Sequence, residues 1–200
     1  MSAAPTRFVL SPARADGARA GQLARSTTAP LGQQLRDGTA PLGDVFAWLS
    51  ALYFRGKLTY ARHFATAPAG VLIMAPGLGL VAPDTLTSPA LLAQLSRVEV
   101  ESAAFLGPLR CDAELLAADD EPDTRVVLLG SIATGKYVDT LLAVFGERLL
   151  FPADFVGRGD MSRGGLLLRA ARGADELAYV PVAGAQRRGG RAPRLPPLRR

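Results

Sequence analysis

The stretch Val126-Val127-Leu128-Leu129-Gly130-Ser131-Ile132-Ala133-Thr134-Gly135-Lys136-Tyr137-Val138 decides the fold class. Four consecutive apolar residues read as a strand buried on both faces, the habit of parallel sheets. A glycine-bounded turn follows. Val138, Leu141, Leu142 and Phe145 then recur on one helical face, and Gly146 stands where a helix C-cap belongs. Strand, turn and helix in this order form the repeating unit of an α/β sheet.

Outward from it, Val71-Leu72-Ile73-Met74-Ala75 is a second apolar run, held between Gly70 and Pro76. Arg7-Phe8-Val9-Leu10 is a shorter strand closed by Ser11-Pro12, and Leu149–Phe151 another. Between the first two, Val45, Trp48, Leu49, Leu52 and Tyr53 mark a helix over 45–64, which Gly56 is expected to kink or break and Pro68 to end. Asp44 is placed to cap it. Ala18–Arg25 offers one or two helical turns in a polar stretch reaching Gly38, Ser88-Pro89 opens a helix to Leu95, and Leu109–Ala118 is helical. Arg97–Val100 reads as a weak strand. Residues 157–165 read as a loop, and Leu166–Arg172 with Leu177–Val182 as a hairpin around Gly173-Ala174-Asp175. The expected fold is therefore α/β. It is a three-layer Rossmann-like domain over 1–184, with a mostly parallel sheet, helices on both faces and a C-terminal antiparallel hairpin at the edge. Residues 185–200 read as a disordered Arg/Pro-rich tail.

Composition narrows the function classes. Of 200 residues 48% are hydrophobic and 20% charged, which excludes a disordered chain. A lone cysteine, Cys111, excludes an intramolecular disulfide scaffold, and a lone histidine, His63, leaves little for a histidine-built metal site or a Ser–His triad. No metal is expected, and no cofactor is named. The net charge of +5 includes six arginines after Gly184, which leaves −1 for the rest. That tail could touch nucleic acid by charge, but it has no aromatic residue for base stacking. No run nears the ~18 apolar residues of a membrane span, and Met1–Arg7 lacks the apolar core of a secretory leader. A cytoplasmic protein without a membrane partner is expected.

Three segments carry chemistry. Gly130 to Lys136 fits seven positions of the phosphate-loop pattern G-x-x-x-x-G-K-[ST], but Tyr137 stands where a metal-ligating hydroxyl belongs. No clear strand ending in aspartate follows, so a nucleoside triphosphatase is disfavoured. What remains is a strand–loop–helix whose backbone N–H groups, with Ser131, Thr134 and Lys136, suit an anion, set against an ordinary glycine turn. Tyr53, Lys57 and Tyr60 share a helix face that could wall a planar ligand, or could simply be half-buried with Lys57 snorkelling outward. Arg158, Asp160, Ser162 and Arg163 offer two guanidinium forks, a carboxylate and a hydroxyl among four glycines, or a solvated loop with a local ion pair. Ser11 ends the first strand and would meet Gly130 at one sheet edge.

Leu129–Val138 and Phe155–Leu166 together resemble a family of uncharacterised bacterial proteins, and Leu52–Lys57 fits the same group. The resemblance covers residues 7 to about 193. It implies no activity, only that the three segments form one site. The resulting expectation is an enzyme acting on a nucleotide, nucleoside or nucleobase. Asp160 is the catalytic candidate. Ser11, Tyr53, Lys57, Tyr60, Gly130, Ser131, Thr134, Lys136, Arg158, Ser162 and Arg163 are the ligand-binding candidates. The alternative is a non-catalytic module for a small ligand or nucleic acid.

Overall fold

The computed structural model of the chain describes residues 4–195. Residues 1–3, and 196–200 of the expected tail, lie outside the described residues.

The strand candidates form the middle of a six-stranded sheet. β1 (Thr6–Leu10) lies between β3 (Val71–Ala75) and β6 (Arg125–Leu129), parallel to both, and β7 (Leu149–Pro152) extends the parallel set beyond β6. β4 (Gly79–Val81) and β8 (Tyr179–Pro181) close the two edges antiparallel, giving the order β4-β3-β1-β6-β7-β8. Phe8, Val9 and Leu10 and all of Val126–Leu129 are fully buried, as a central strand covered on both faces must be. β2 (Ala40–Pro41) and β5 (Leu86–Thr87) pair as a small separate ribbon.

The connections explain the three layers. From β1 the chain passes through α1 (Ala18–Arg25), α2 (Pro30–Arg36), α3 (Leu42–Ser50) and α4 (Leu52–Phe64) before reaching β3 on one side. It returns through α5 (Pro89–Ser96) and α6 (Ala103–Asp119) to β6 on the other side of β1, then through α7 (Lys136–Phe145) to β7. Right-handed crossovers in opposite directions put α4 and α6–α7 on opposite faces. Accordingly α6 packs on α7, while α4 packs on β1 and on α8 (Asp160–Gly173). The reversal of direction occurs between β1 and β6. The loops leaving those two strands therefore diverge and open a crevice at their C-terminal ends, where ligands of open α/β sheets sit. Among the described residues no helix is long and apolar enough to cross a membrane.

Several local expectations are corrected. Leu166–Arg172 is not a hairpin strand but part of α8, which also absorbs residues 160–165 of the expected loop; of the expected hairpin only the second strand forms, as β8, antiparallel to β7. Arg97–Val100 forms no strand. A helix at Pro30–Arg36, α2, occupies part of the polar stretch. The long helix breaks at Ala51, whose φ of 49° and ψ of −113° no helix accommodates, and not at Gly56. Asp44 caps nothing; it lies in the first turn of α3, 3.8 Å from Arg62. By contrast, Ser88 caps α5 by accepting the Leu91 N–H, and Gly146 closes α7 with its own N–H on the Leu142 carbonyl.

Gly56 and Gly164 serve packing. A Cβ on Gly164 would lie 2.6 Å from the Leu52 carbonyl oxygen and 2.8 Å from Tyr53 Cα; one on Gly56 would lie 2.7 Å from the Gly164 carbonyl oxygen. These are backbone atoms, so nothing can rotate away. α4 and α8 touch backbone to backbone because both contact positions lack side chains. Gly164→Ala is expected to lower stability by about 1–3 kcal/mol in urea denaturation. Gly107→Ala, in open space on α6, is the control and should stay within about 1 kcal/mol of wild type.

Candidate functional site

The parallel register sets Leu10 beside Leu129, so Ser11 leaves β1 next to Gly130, with its N–H on the Leu129 carbonyl. A Cβ on Gly130 would meet the Tyr137 hydroxyl at 2.8 Å and Ser11 Oγ at 3.2 Å. Only a bare backbone lets those two hydroxyls converge there. α4 packs on β1 and brings Lys57 up from below. Lys57 is 1% exposed, and its Nζ donates to the Ser11 carbonyl at 2.6 Å and to Ser11 Oγ at 2.9 Å. The rings of Tyr53 and Phe54 stand 4.6 and 4.7 Å from the same nitrogen. The snorkelling alternative is thereby excluded: the lysine points inward.

Burial pushes the Lys57 ammonium down to about 7, against Asp160, which favours the cation, while Arg163 opposes it. The facing rings also favour the cation. Burial likewise raises the Tyr137 hydroxyl, offset by its contacts with Ser11 and Ser131. The Tyr53 hydroxyl is raised most of all by burial, with Arg163 pulling the other way. It is enclosed, and although Arg163 lies near enough to pull it down, no hydrogen bond of good geometry reaches it among the described residues. A buried hydroxyl left unpaired is costly, and such atoms mark places where a bound group completes the bonding.

Above Lys57 lies a cavity of about 350 Å³, lined by Ser11, Arg14, Tyr53, Ser131, Tyr137 and Asp160. A second hollow of about 300 Å³ shares Ser11, Ser131 and Tyr137 and runs out to Thr134 and Lys136. Three larger hollows lie elsewhere among the described residues. One, of about 590 Å³, lies beside Trp48 and Arg55; another, of about 410 Å³, is bounded by residues 157–162 and 191–194; the third, of about 380 Å³, lies beside Phe151 and Val180. None is lined by a buried ionisable side chain, so chemistry and not size singles out the crevice between β1 and β6.

The structure brings part of the expected set to this crevice. Ser11, Tyr53, Ser131 and Asp160 line it, Thr134 and Lys136 stand at its outer end, and Lys57 lies beneath Ser11. Gly130 makes the close approach. Arg163, its side chain 12% exposed, binds the Phe155 carbonyl through Nε and Nη2 and lies 3.6 Å from Asp160. All three segments singled out by the sequence thus contribute residues to one place. Tyr60 does not join them; its hydroxyl is tied to Tyr179 at 2.6 Å and to the Leu177 N–H, and its ring packs edge-on against Phe8. Arg158 and Ser162 bond each other, and Arg158 also holds the Asp154 and Pro193 carbonyls, so neither reaches the crevice. Within the described part of the tail, Ala192 donates to the Gly157 carbonyl and Arg187 pairs with Asp139.

Tyr137, treated in the sequence only as a defect in the phosphate-loop pattern, is part of the site. Its hydroxyl accepts the Ser131 N–H and donates to the Ser131 carbonyl, both at 3.1 Å. The loop's own side chain thus occupies an amide that a phosphate would need. Lys136 begins α7 with a φ of 22° and pairs with Glu101 at 3.5 Å on the outside. The arrangement is not a phosphate cradle. It can hold a small polar molecule between two tyrosines, with donors, acceptors and one buried amine. No group of three His, Cys, Asp or Glu side chains among the described residues is placed to hold a metal ion.

Comparison with protein-family models, with curated proteins and with solved structures found no match to the chain.

Proposed function

We propose that the protein is an enzyme acting on a nucleotide, nucleoside or nucleobase, bound in the crevice between the β1 and β6 loops. The observation that carries this is the unpartnered Tyr53 hydroxyl, enclosed at the wall of a cavity that also offers Ser11, Ser131 and Tyr137. Aromatic faces beside a mixed set of donors and acceptors suit a flat heterocycle, and about 350 Å³ falls in the range of small-molecule sites. Asp160, its side chain 70% exposed at the rim, is the acid–base candidate toward a ligand entering from solvent. Arg163 beside it supplies positive charge.

The test is a melting-temperature panel of nucleobases, nucleosides and nucleotides, run on wild type and on Tyr53→Phe. A ligand at ~100 times its dissociation constant adds about 2.7 kcal/mol, a clear upward shift. Tyr53→Phe removes only an unpaired hydroxyl, so its ligand-free stability should stay within about 1 kcal/mol of wild type, while affinity falls about tenfold. A panel without any shift at millimolar concentrations overturns the reading. A shift with no turnover of the bound compound points to the non-catalytic alternative.

A further inference from the structure

We propose that Ser11 is a nucleophile and Lys57 its general base, and that the crevice takes a substrate with an electrophilic acyl carbon, an ester or an amide. The proposal rests on the reading of this crevice as a substrate site, but not on the ligand being a nucleoside. Three features of the geometry carry it. Lys57 Nζ sits 2.9 Å from Ser11 Oγ, within the reach proton transfer needs. Its second bond, to the Ser11 carbonyl at 2.6 Å, fixes the nitrogen. A neutral amine can keep that N–H bond and turn its lone pair to Oγ. Ser11 also borders both hollows, and its Oγ has only a long bond, 3.4 Å to the Leu129 carbonyl, to give up before it reacts.

An amine serves as a base only when neutral. Burial, working against Asp160 and together with Arg163, brings Lys57 close to neutrality near pH 7. Tyr53 on its own helix stands against the amine, while Tyr137 and Arg14, the latter paired with Asp16, border the cavity on the other side of Ser11. Burial holds both tyrosines in the neutral form, since their hydroxyls are raised.

The step balances without a further reactant. Lys57 takes the Oγ proton as Oγ bonds to the acyl carbon, and the carbonyl π pair moves onto oxygen. Collapse of that tetrahedral species expels the leaving group, which receives the proton from the Lys57 ammonium. Water, deprotonated by Lys57, then releases the acid and restores Ser11. Tyr53 lines the same cavity and carries a buried, unpaired hydroxyl, the candidate donor for the developing oxyanion. Phosphoryl transfer fits less well, because it needs cations around the reacting group. Lys136 is paired with Glu101 outside, and Arg163 is committed to the Phe155 carbonyl.

The test uses an alkyl fluorophosphonate, in which an Oγ–P bond forms, fluoride leaves and the serine proton passes to the base. Full-length protein is labelled from pH 6 to 9 and read by intact mass and peptide mapping. The expected result is one adduct, on Ser11, with a rate that climbs about tenfold to a plateau through a midpoint near 7. It should vanish in Ser11→Ala and slow at least a hundredfold in Lys57→Met, both confirmed folded by circular dichroism. Labelling no faster than in urea-unfolded protein, or at an unchanged rate in Ser11→Ala or Lys57→Met, overturns the proposal. If Lys57→Met does not fold, the wild-type pH profile decides, and a flat one overturns it. A nucleoside-induced melting shift without labelling removes the dyad and keeps the binding reading. Labelling of Ser11 without any such shift keeps the dyad and removes the nucleoside.

Discussion

Replacing Asp120 by alanine is expected to lower stability by about 3–5 kcal/mol, the usual consequence of stranding a buried charge. Arg7 enters the sheet on β1 with its side chain 6% exposed, and the Asp120 carboxylate facing it is 5% exposed. The guanidinium also donates to the Pro68 and Ala69 carbonyls at 2.8 and 2.7 Å. One cation thus joins the start of β1, the turn before β3 and the end of α6. These anchors lie at the edge of the sheet opposite the crevice, so the loss should appear in folding and not in ligand affinity. Removing the carboxylate leaves the guanidinium enclosed with two neutral acceptors. Removing both charges, as in Arg7→Met with Asp120→Leu, should recover most of the loss, because a buried pair contributes little net stability against an apolar replacement. Urea denaturation of the single and double variants reads both numbers. A single variant within about 1 kcal/mol of wild type would show that the pair is hydrated in solution.

The second large effect is a pH dependence. Lys57 has a folded-state pKa near 7 against an ordinary value of 10.5. Between those values the unfolded chain holds the proton and the folded chain does not, so stability rises with pH across that window. The penalty is fully present below about 7 and is relieved as pH climbs toward 10.5. From pH 7 to 9.5 the gain is about 3 kcal/mol, at 1.36 kcal/mol per unit. Lys57→Met lacks this proton, so the wild-type stability minus that of the variant should rise by that amount over the interval. Tyr53 and Tyr137 are raised by burial and stay neutral across it. Met also leaves the Ser11 carbonyl without its donor, which offsets the relief from burying a charge at low pH. Denaturation of both proteins at pH 6, 7, 8 and 9.5 gives the curve. A constant difference would mean that Lys57 keeps its proton throughout, and would count against its role as a base.

Much of the architecture is legible locally. Apolar runs at 71–75 and 126–129, short and stopped by glycine or proline, read as strands covered on both sides. Gly146 ends α7 because a helix C-terminus needs what glycine allows, as its φ of 53° shows directly. The alternation of such strands with helices is enough for a layered α/β domain.

α8 was beyond local reading for the opposite reason. Four glycines in the nine residues from Gly157 argue against a helix on propensity alone. Gly164 pays that penalty because α4 passes too close for any side chain, a contact with residues more than a hundred positions earlier. Gly56, its partner at the crossing, looks like a helix breaker for the same reason, while the true break falls at Ala51.

The candidate site divides along the same line. The residue types and the sheet edge are local properties: a serine after one buried strand, a glycine loop after another, and a lysine among aromatics on a helix. Local reading stops there. It placed Tyr60, Arg158 and Ser162 with them because spacing along one helix or loop carries no information about which neighbour a side chain meets. Packing between distant segments turns Tyr60 to Tyr179, folds Tyr137 back on Ser131 and leaves Lys57 in the interior beneath Ser11. The physical reason is that charge state and orientation follow from enclosure. Enclosure at Lys57 is made by β1, α4 and α8 together, segments that periodicity can recognise singly but cannot assemble.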